Sequence, residues 1–360
     1  MGTLFDYLDW RGDLTFDQCE IGEVDSLILS LICYLDFYKI VPASPAAKGL
    51  TFLAAAKRYA QKHKGEGNNI GLIMPPETVT IATRAARTAR FGTLRTLGHV
   101  NIINDNIQSQ FSATTFLAGE ENCFVAFRGT DDTIVGWKES FNMSFLSPIP
   151  AQDFAAQYLH HIAEAHPNRK IYLCGHSKGG NLAVYAAVKA SADVKERIVT
   201  VYNNDGPGFS REFITSEEYL SISEKIKTLV PQSSIVGMLL EHEERYEVVK
   251  SNQVGLFQHN GFSWEVMGNK FIHTDNVTDE CRYIDVTLKQ WLSELTADER
   301  KHVIDAVYDI LTSTSAKTLT ELNSEKLKLI RAWNTLDSES KAIVKRLVKL
   351  VTKTSRKRTL

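Results

Sequence analysis

The feature that most constrains how this chain can fold is the run Gly175-His176-Ser177-Lys178-Gly179-Gly180. Residues 170–174 before it are apolar enough to be a short buried strand. Residues 181–188 after it read as a helix rich in small side chains. A strand that turns directly into a helix through Gly-x-Ser-x-Gly is a nucleophile elbow, with the serine held on a strained turn. The glycines have a steric role there, because only residues without a Cβ let strand and helix pass so closely. Taken alone, the pentapeptide is also compatible with an ordinary tight turn; its context makes it a candidate catalytic site centred on Ser177.

Strands alternating with helices around that elbow give the fold class. Residues 1–90 read as mainly helical, with apolar residues at helical spacing over 23–35, 49–64 and 78–89. The period then changes: 111–118 and 123–127 are β-prone runs around Gly119-Glu120-Glu121-Asn122, which predicts a hairpin. A helix over 152–165 leads into the strand before Ser177. Further strands are expected at 198–202, 226–230 and 246–250. The implied architecture is α/β and α/β-hydrolase-like, a mostly parallel sheet with helices on both faces. From about residue 283 the pattern is helical, with capping boxes at Thr296-x-x-Glu299 and Thr318-x-x-Glu321. The expected division is a hydrolase domain over 1–282, including the helical N-terminal part, and a helical C-terminal region over 283–360.

Composition excludes some classes. With 360 residues, 43% apolar content and a net charge of −2, neither disorder nor wholesale nucleic-acid binding is indicated. Cys19, Cys33, Cys123, Cys174 and Cys281 are odd in number and lack metal-ligand spacing, which fits buried free thiols in a reducing compartment. The acidic N-terminus has no secretory pattern, and the most apolar stretch, 27–41, is too short to span a bilayer. The expectation is a cytoplasmic protein that needs no metal or organic cofactor. His160-His161 could suggest a metal pair, but adjacent side chains on a helix diverge.

A serine nucleophile also needs donors for the oxyanion. Phe124-Val125-Ala126-Phe127-Arg128-Gly129-Thr130 is a strand ending in Gly-Thr, and Trp137 follows it. A strand ending Phe-Arg-Gly-Thr, a tryptophan several residues on, then Gly-His-Ser-x-Gly-Gly about fifty residues later resembles class 3 lipases over roughly residues 110–260. The chain looks closer still to a bacterial branch of that group, the Mbeg1-like family of unknown function 2974. The resemblance there rests on Phe5-Asp6-Tyr7-Leu8-x-Trp10-Arg11-Gly12-Asp13-Leu14, Asp25-x-Leu27-Ile28-Leu29-Ser30, the elbow itself and Asp205-Gly206-Pro207-Gly208.

The resemblance implies that Thr130 contributes its backbone N–H, and its hydroxyl as a further option, to an oxyanion hole. Elbow geometry makes the N–H of Lys178 the second donor. Residues 131–150 then fall where such lipases carry a lid, with Trp137, Phe141, Met143, Phe145 and Leu146 as its apolar face; packing of those residues on the core is the alternative. The Lys178 ammonium either attracts an anionic group or lies along the helix with its charge in water.

Class 3 lipases place the acid where this chain has Ser234-Ile235-Val236-Gly237-Met238-Leu239, so the expected aspartate is a serine. Asp205, in the loop after the strand over 198–202, is the substitute; its alternatives are a turn cap or a pair with Arg128. Glu241 and Glu243 are weaker candidates. The order Ser…Asp…His leaves His242, His259, His273 and His302 as bases. His242 lies in a charge cluster and His302 on an amphipathic helix. His259 follows the strand over 246–250, where a histidine must reach over the sheet edge, and His273 is second choice. His176 is expected to pack beside the elbow. The reading is a serine esterase or lipase acting through Ser177, His259 and Asp205. The rivals are a silent hydrolase-fold binding protein, for which Ser234 speaks, and an acyltransferase or thioesterase on the same triad. The one-sided basic charge of residues 341–360, interleaved with Leu347, Val348, Leu350 and Val351, suits either an anionic membrane surface or a solvated terminal helix.

Overall fold

The computed structural model describes residues 2–65, 71, 74–143, 146–240, 246–279, 281–282, 286, 296–312, 316–318 and 321, with isolated positions beyond. Phe145, Glu241, His242, Glu243 and the basic segment 341–360, apart from Lys341, Ala342 and Lys345, lie outside the described residues, as does most of 283–360.

Eleven strands are described: β1 (Leu50–Thr51), β2 (Arg95–Asn104), β3 (Ser109–Ala118), β4 (Asn122–Phe127), β5 (Lys170–His176), β6 (Ile198–Asn204), β7 (Ile226–Pro231), β8 (Tyr246–Val249), β9 (Val266–Met267), β10 (Lys270–Phe271) and β11 (His273–Thr274). Nine form one sheet in the order β1-β2-β3-β4-β5-β6-β7-β8-β11. The five from β4 to β8 run parallel, while β1 to β3 and β11 extend the sheet antiparallel at its two edges. The expected hairpin is β3–β4, with Phe116 opposite Phe124.

The helices are α1 (Leu4–Arg11), α2 (Glu23–Ile32), α3 (Phe52–Lys62), α4 (Glu77–Ala85), α5 (Ala89–Gly92), α6 (Ile134–Asn142), α7 (Pro150–Ala165), α8 (Lys178–Lys189), α9 (Ala192–Arg197), α10 (Arg211–Ile214), α11 (Glu217–Leu220) and α12 (Ala297–Thr312). Strands β4 and β5 read as nearly continuous apolar runs because both faces are covered. On β4 and β5, Phe124, Ala126, Tyr172 and Cys174 face a core shared with the helices before residue 92. Their neighbours Cys123, Val125, Phe127, Ile171 and Leu173 face a second core built with α7 and α8. The helical N-terminal segment therefore covers one face of the central strands.

Strand β2 is not announced by the sequence pattern. Its register shifts between Leu97 and Val100, where Gly98 takes a φ of +66°. A bulge of that kind breaks the two-residue alternation on which strand recognition depends. The capping box at Thr296 is formed, with Glu299 N–H donating to Thr296 Oγ1 at 3.2 Å and Thr296 N–H to Glu299 Oε2 at 2.7 Å. Among the described residues no helix is long and apolar enough to cross a membrane. All five cysteines are free thiols, and all but Cys19 are buried.

Candidate active site

The elbow is closed by the contacts its glycines permit. A Cβ on Gly175 would lie 2.1 Å from the Gly179 backbone, and one on Gly179 would lie 2.2 Å from the Phe127 carbonyl oxygen. Ser177, between them, holds φ +59° and ψ −134°, a conformation costly for any residue with a side chain. Its N–H donates to the Asn204 carbonyl at 3.0 Å, and its own carbonyl accepts from Gly180 N–H at 2.9 Å. The side chain sits half-buried at the C-terminal end of β5, where α8 begins.

The loops after β4 and β6 meet it there. A Cβ on Gly129 would approach the Ser177 Cβ to 3.2 Å, so the turn carrying Thr130 abuts the serine. A Cβ on Gly206 would stand 2.5 Å from the Ser177 carbonyl oxygen, which brings the turn after Asp205 equally close. Asp205 is buried, adopts φ +53° and anchors its N–H on the Leu229 carbonyl at 2.8 Å. One carboxylate oxygen, Oδ2, accepts from His259 Nδ1 at 2.6 Å. The other, Oδ1, accepts from the Ser234 hydroxyl and from Gly237 N–H at 3.2 Å. Ser234, which occupies the place where an aspartate is expected, is thus a hydrogen-bond donor to the aspartate one strand earlier.

His259 ends a 3₁₀ turn, Gly255–His259, and is about one quarter exposed. The fully buried Trp264 fixes that turn by donating Nε1–H to the Gln258 carbonyl at 2.9 Å. Gln258 is itself buried and accepts Ser233 N–H at 2.8 Å. His176 completes the support: its ring stacks on that of His259 at 4.6 Å between centroids and 29° between planes. Its Nε2–H donates to the His259 carbonyl at 2.8 Å, leaving Nδ1 to face the Tyr34 hydroxyl at 3.5 Å. Burial pushes the His176 imidazole down to about 3, and the neighbouring His259 adds to the fall. It is therefore neutral and adds no like charge beside its neighbour.

The other candidates are engaged elsewhere. His273 donates to Glu23 through Nε2 at 2.8 Å and faces Glu247 through Nδ1 at 3.1 Å. Glu23, Glu247 and His273 are the one set of metal-ligating types that converge among the described residues. The Lys227 ammonium, 2.7 Å from Glu23 and 3.2 Å from Glu247, already supplies a cation there. His160 pairs with Glu164, and His302 is exposed on α12. Arg128 is bound to Asp131 and Asn101, not to Asp205. A cleft of about 360 Å³ lined by Phe16, Glu20, Asn122 and Lys170 among others opens where β4 and β5 begin, the opposite end of the sheet.

Two expectations around the elbow are corrected. The Lys178 side chain neither reaches for an external anion nor runs to water. It is buried, and its ammonium donates to Glu139 Oε2 at 2.8 Å, Gln110 Oε1 at 2.9 Å and the Gln110 carbonyl at 2.7 Å. The Thr130 hydroxyl is held by Ser140 Oγ at 2.5 Å, which leaves the backbone N–H as the donor to consider. Segment 131–150 is divided. Phe141 and Leu146 are about half exposed and the Trp137 ring lies tilted beside Phe141 at 5.6 Å, whereas Met143 is buried with the opposite face of α6. Glu139 is the residue that sequence reasoning missed; it lies beside Lys138 and Asn142 on the buried side of α6, and no local pattern marks it.

The family described as Mbeg1-like matches residues 85–309, more than half of the chain. The chain belongs to the Mbeg1-like family. The match to this Mbeg1-like chain begins within α4 and runs through the elbow to α12, so it spans every residue of the site. Among solved structures it is similar to a triacylglycerol lipase from Penicillium expansum, at 10% identity and a TM-score of 0.34, covering 52% of this chain and 76% of that one. It is also similar to M37 lipase, at 14% identity and a TM-score of 0.36, covering 61% and 69%. Comparison with curated proteins finds no match.

Proposed function

We propose that this Mbeg1-like protein is a serine hydrolase that cleaves a carboxylic ester through Ser177, His259 and Asp205. The observation that carries the reading is the 2.6 Å bond from His259 Nδ1 to a buried carboxylate whose loop abuts the strained Ser177. Donation by Nδ1–H leaves Nε2 as the basic nitrogen. It takes the serine proton as Oγ attacks the ester carbonyl, and Asp205 holds the tautomer and stabilises the imidazolium that forms. The backbone N–H groups of Thr130 and Lys178 receive the developing oxyanion. The imidazolium then protonates the leaving alcohol, and water activated by the same histidine releases the acid from the acyl-enzyme. No step requires a metal or organic cofactor.

Ser234 supports this reading over a silent binding protein. Its hydroxyl and Gly237 N–H bind the Asp205 carboxylate from the side opposite the histidine. Residues 1–282 are read as the hydrolase domain and 283–360 as a helical C-terminal region that packs on it through α12. Steady-state hydrolysis of short-chain p-nitrophenyl esters tests the assignment. Asp205→Asn is expected to lower kcat by roughly 10⁴-fold, and Ser177→Ala to abolish acyl-enzyme turnover. Wild-type rates in Ser177→Ala would overturn it.

A further inference from the structure

A fully buried lysine next to a nucleophile calls for an explanation beyond stability. Removing two charges from water costs several kcal/mol each, and apolar residues of similar volume are often as stable as the ion pair they replace. Here neither charge is left unpaired. The three ammonium protons of Lys178 meet the three acceptors described above. Glu139 accepts four bonds: Ser109 Oγ at 2.8 Å and Ala151 N–H at 3.0 Å on Oε1, and Gln110 N–H at 3.0 Å and Lys178 on Oε2. The hub joins β3, α6, the start of α7 and the first residue of α8.

The neighbours of Glu139 extend the pattern. Ser140 holds the Thr130 hydroxyl and is itself tied back to the Gly136 carbonyl at 2.9 Å. Lys138 points the other way, to Asp305 on α12 at 2.7 Å, with its ammonium 4.2 Å from the Tyr308 ring centre. The start of α6 is fastened to the C-terminal region as well, through Ile134 N–H to the Lys317 carbonyl at 3.0 Å and a bridge between Thr133 and Thr318. Three consecutive residues therefore connect α12, the residue after Ser177, and the residue after Gly129.

We propose that Lys138, Glu139 and Ser140 are positioning residues that hold the Thr130 and Lys178 backbone donors at the oxyanion site, braced from outside by α12. This rests on the oxyanion assignment made above. Because the Lys178–Glu139 pair is neutral as a unit, it orients the N–H at the head of α8 without adding a net charge near the reacting carbonyl. It also makes α6 part of the frame rather than a freely opening cover, since swinging α6 away would strip the Lys178 ammonium of its carboxylate in a dry site.

The test is steady-state kinetics of the full chain on p-nitrophenyl butyrate, with thermal melts, for wild type, Lys178→Met, Ser140→Ala and Asp305→Ala. Lys178→Met keeps the backbone donor, and Glu139 keeps three of its four donors. Misplacing an oxyanion donor by a fraction of an ångström is expected to lower kcat roughly 10- to 100-fold in Lys178→Met, with KM within about twofold of wild type. Ser140→Ala and Asp305→Ala are expected to lose roughly 3- to 10-fold in kcat with the same KM. Folded variants that keep wild-type kcat, or that change KM alone, overturn the proposal. If Lys178→Met does not melt cooperatively, Ser140→Ala and Asp305→Ala decide it by the same criterion. A wild type with no turnover would instead sink the functional reading, and this inference with it.

Discussion

Two buried ion pairs in this molecule have the same exposure and opposite surroundings. Arg90 and Asp25 meet at 2.6 Å, and Lys178 and Glu139 at 2.8 Å, with every partner essentially sealed from water. Arg90 spends its remaining donors on the carbonyls of Leu14, Cys19 and Glu20, while Asp25 also takes the Tyr7 hydroxyl at 2.7 Å and Gly22 N–H at 2.8 Å. That pair organises the loop between α1 and α2, stapling backbone that forms no sheet. The Lys178 pair fastens side chains and backbone around a single peptide N–H beside Ser177. A buried charge pair is thus no guide to function by itself; what it immobilises decides its role.

The comparison breaks most visibly at Asp25. Asp25→Ala strands the buried Arg90 guanidinium and is expected to cost about 3–5 kcal/mol, read as the shift in a urea unfolding curve. The fraction that remains folded should hydrolyse ester at the wild-type kcat. A fall in kcat without loss of stability would erase the distinction between the two pairs. A smaller effect sharpens it from the side of the candidate site. His176 is held neutral down to about 3 from an ordinary value of 6.5, so between those values the unfolded chain binds a proton that the native chain does not. Stability should therefore fall as pH drops from about 6.5 towards 3, by at most about 1.4 kcal/mol per pH unit for this group. His99 and His166, also lowered by burial, act in the same sense. His176→Phe should flatten the slope without removing it; an unchanged slope would exclude His176 as a source.

How much of this was legible in the sequence follows from the range of each constraint. The elbow was legible because close passage of β5 over α8 demands glycine at fixed local spacing, whatever the rest of the fold does. Asp205 and His259 could be singled out because a parallel sheet delivers its site to the C-terminal ends of strands and chain order restricts the choice. Their bond joins residues 54 positions apart, and no local pattern encodes it. The same limit hid the Lys178–Glu139 pair, whose members are 39 residues apart on separate helices. Ser234 was visible only as a missing aspartate, since its role depends on a carboxylate supplied by another strand. Strand β2 was obscured by its own bulge at Gly98, where the pleat no longer alternates.

Ser177 as an activated nucleophile is the claim on which the rest depends, and fluorophosphonate labelling of the full chain with mass mapping tests it most directly. The account predicts one adduct, on Ser177, absent in Ser177→Ala and much slower to form in His259→Ala. A wild-type chain that forms no adduct, or one that labels at another residue, would contradict it.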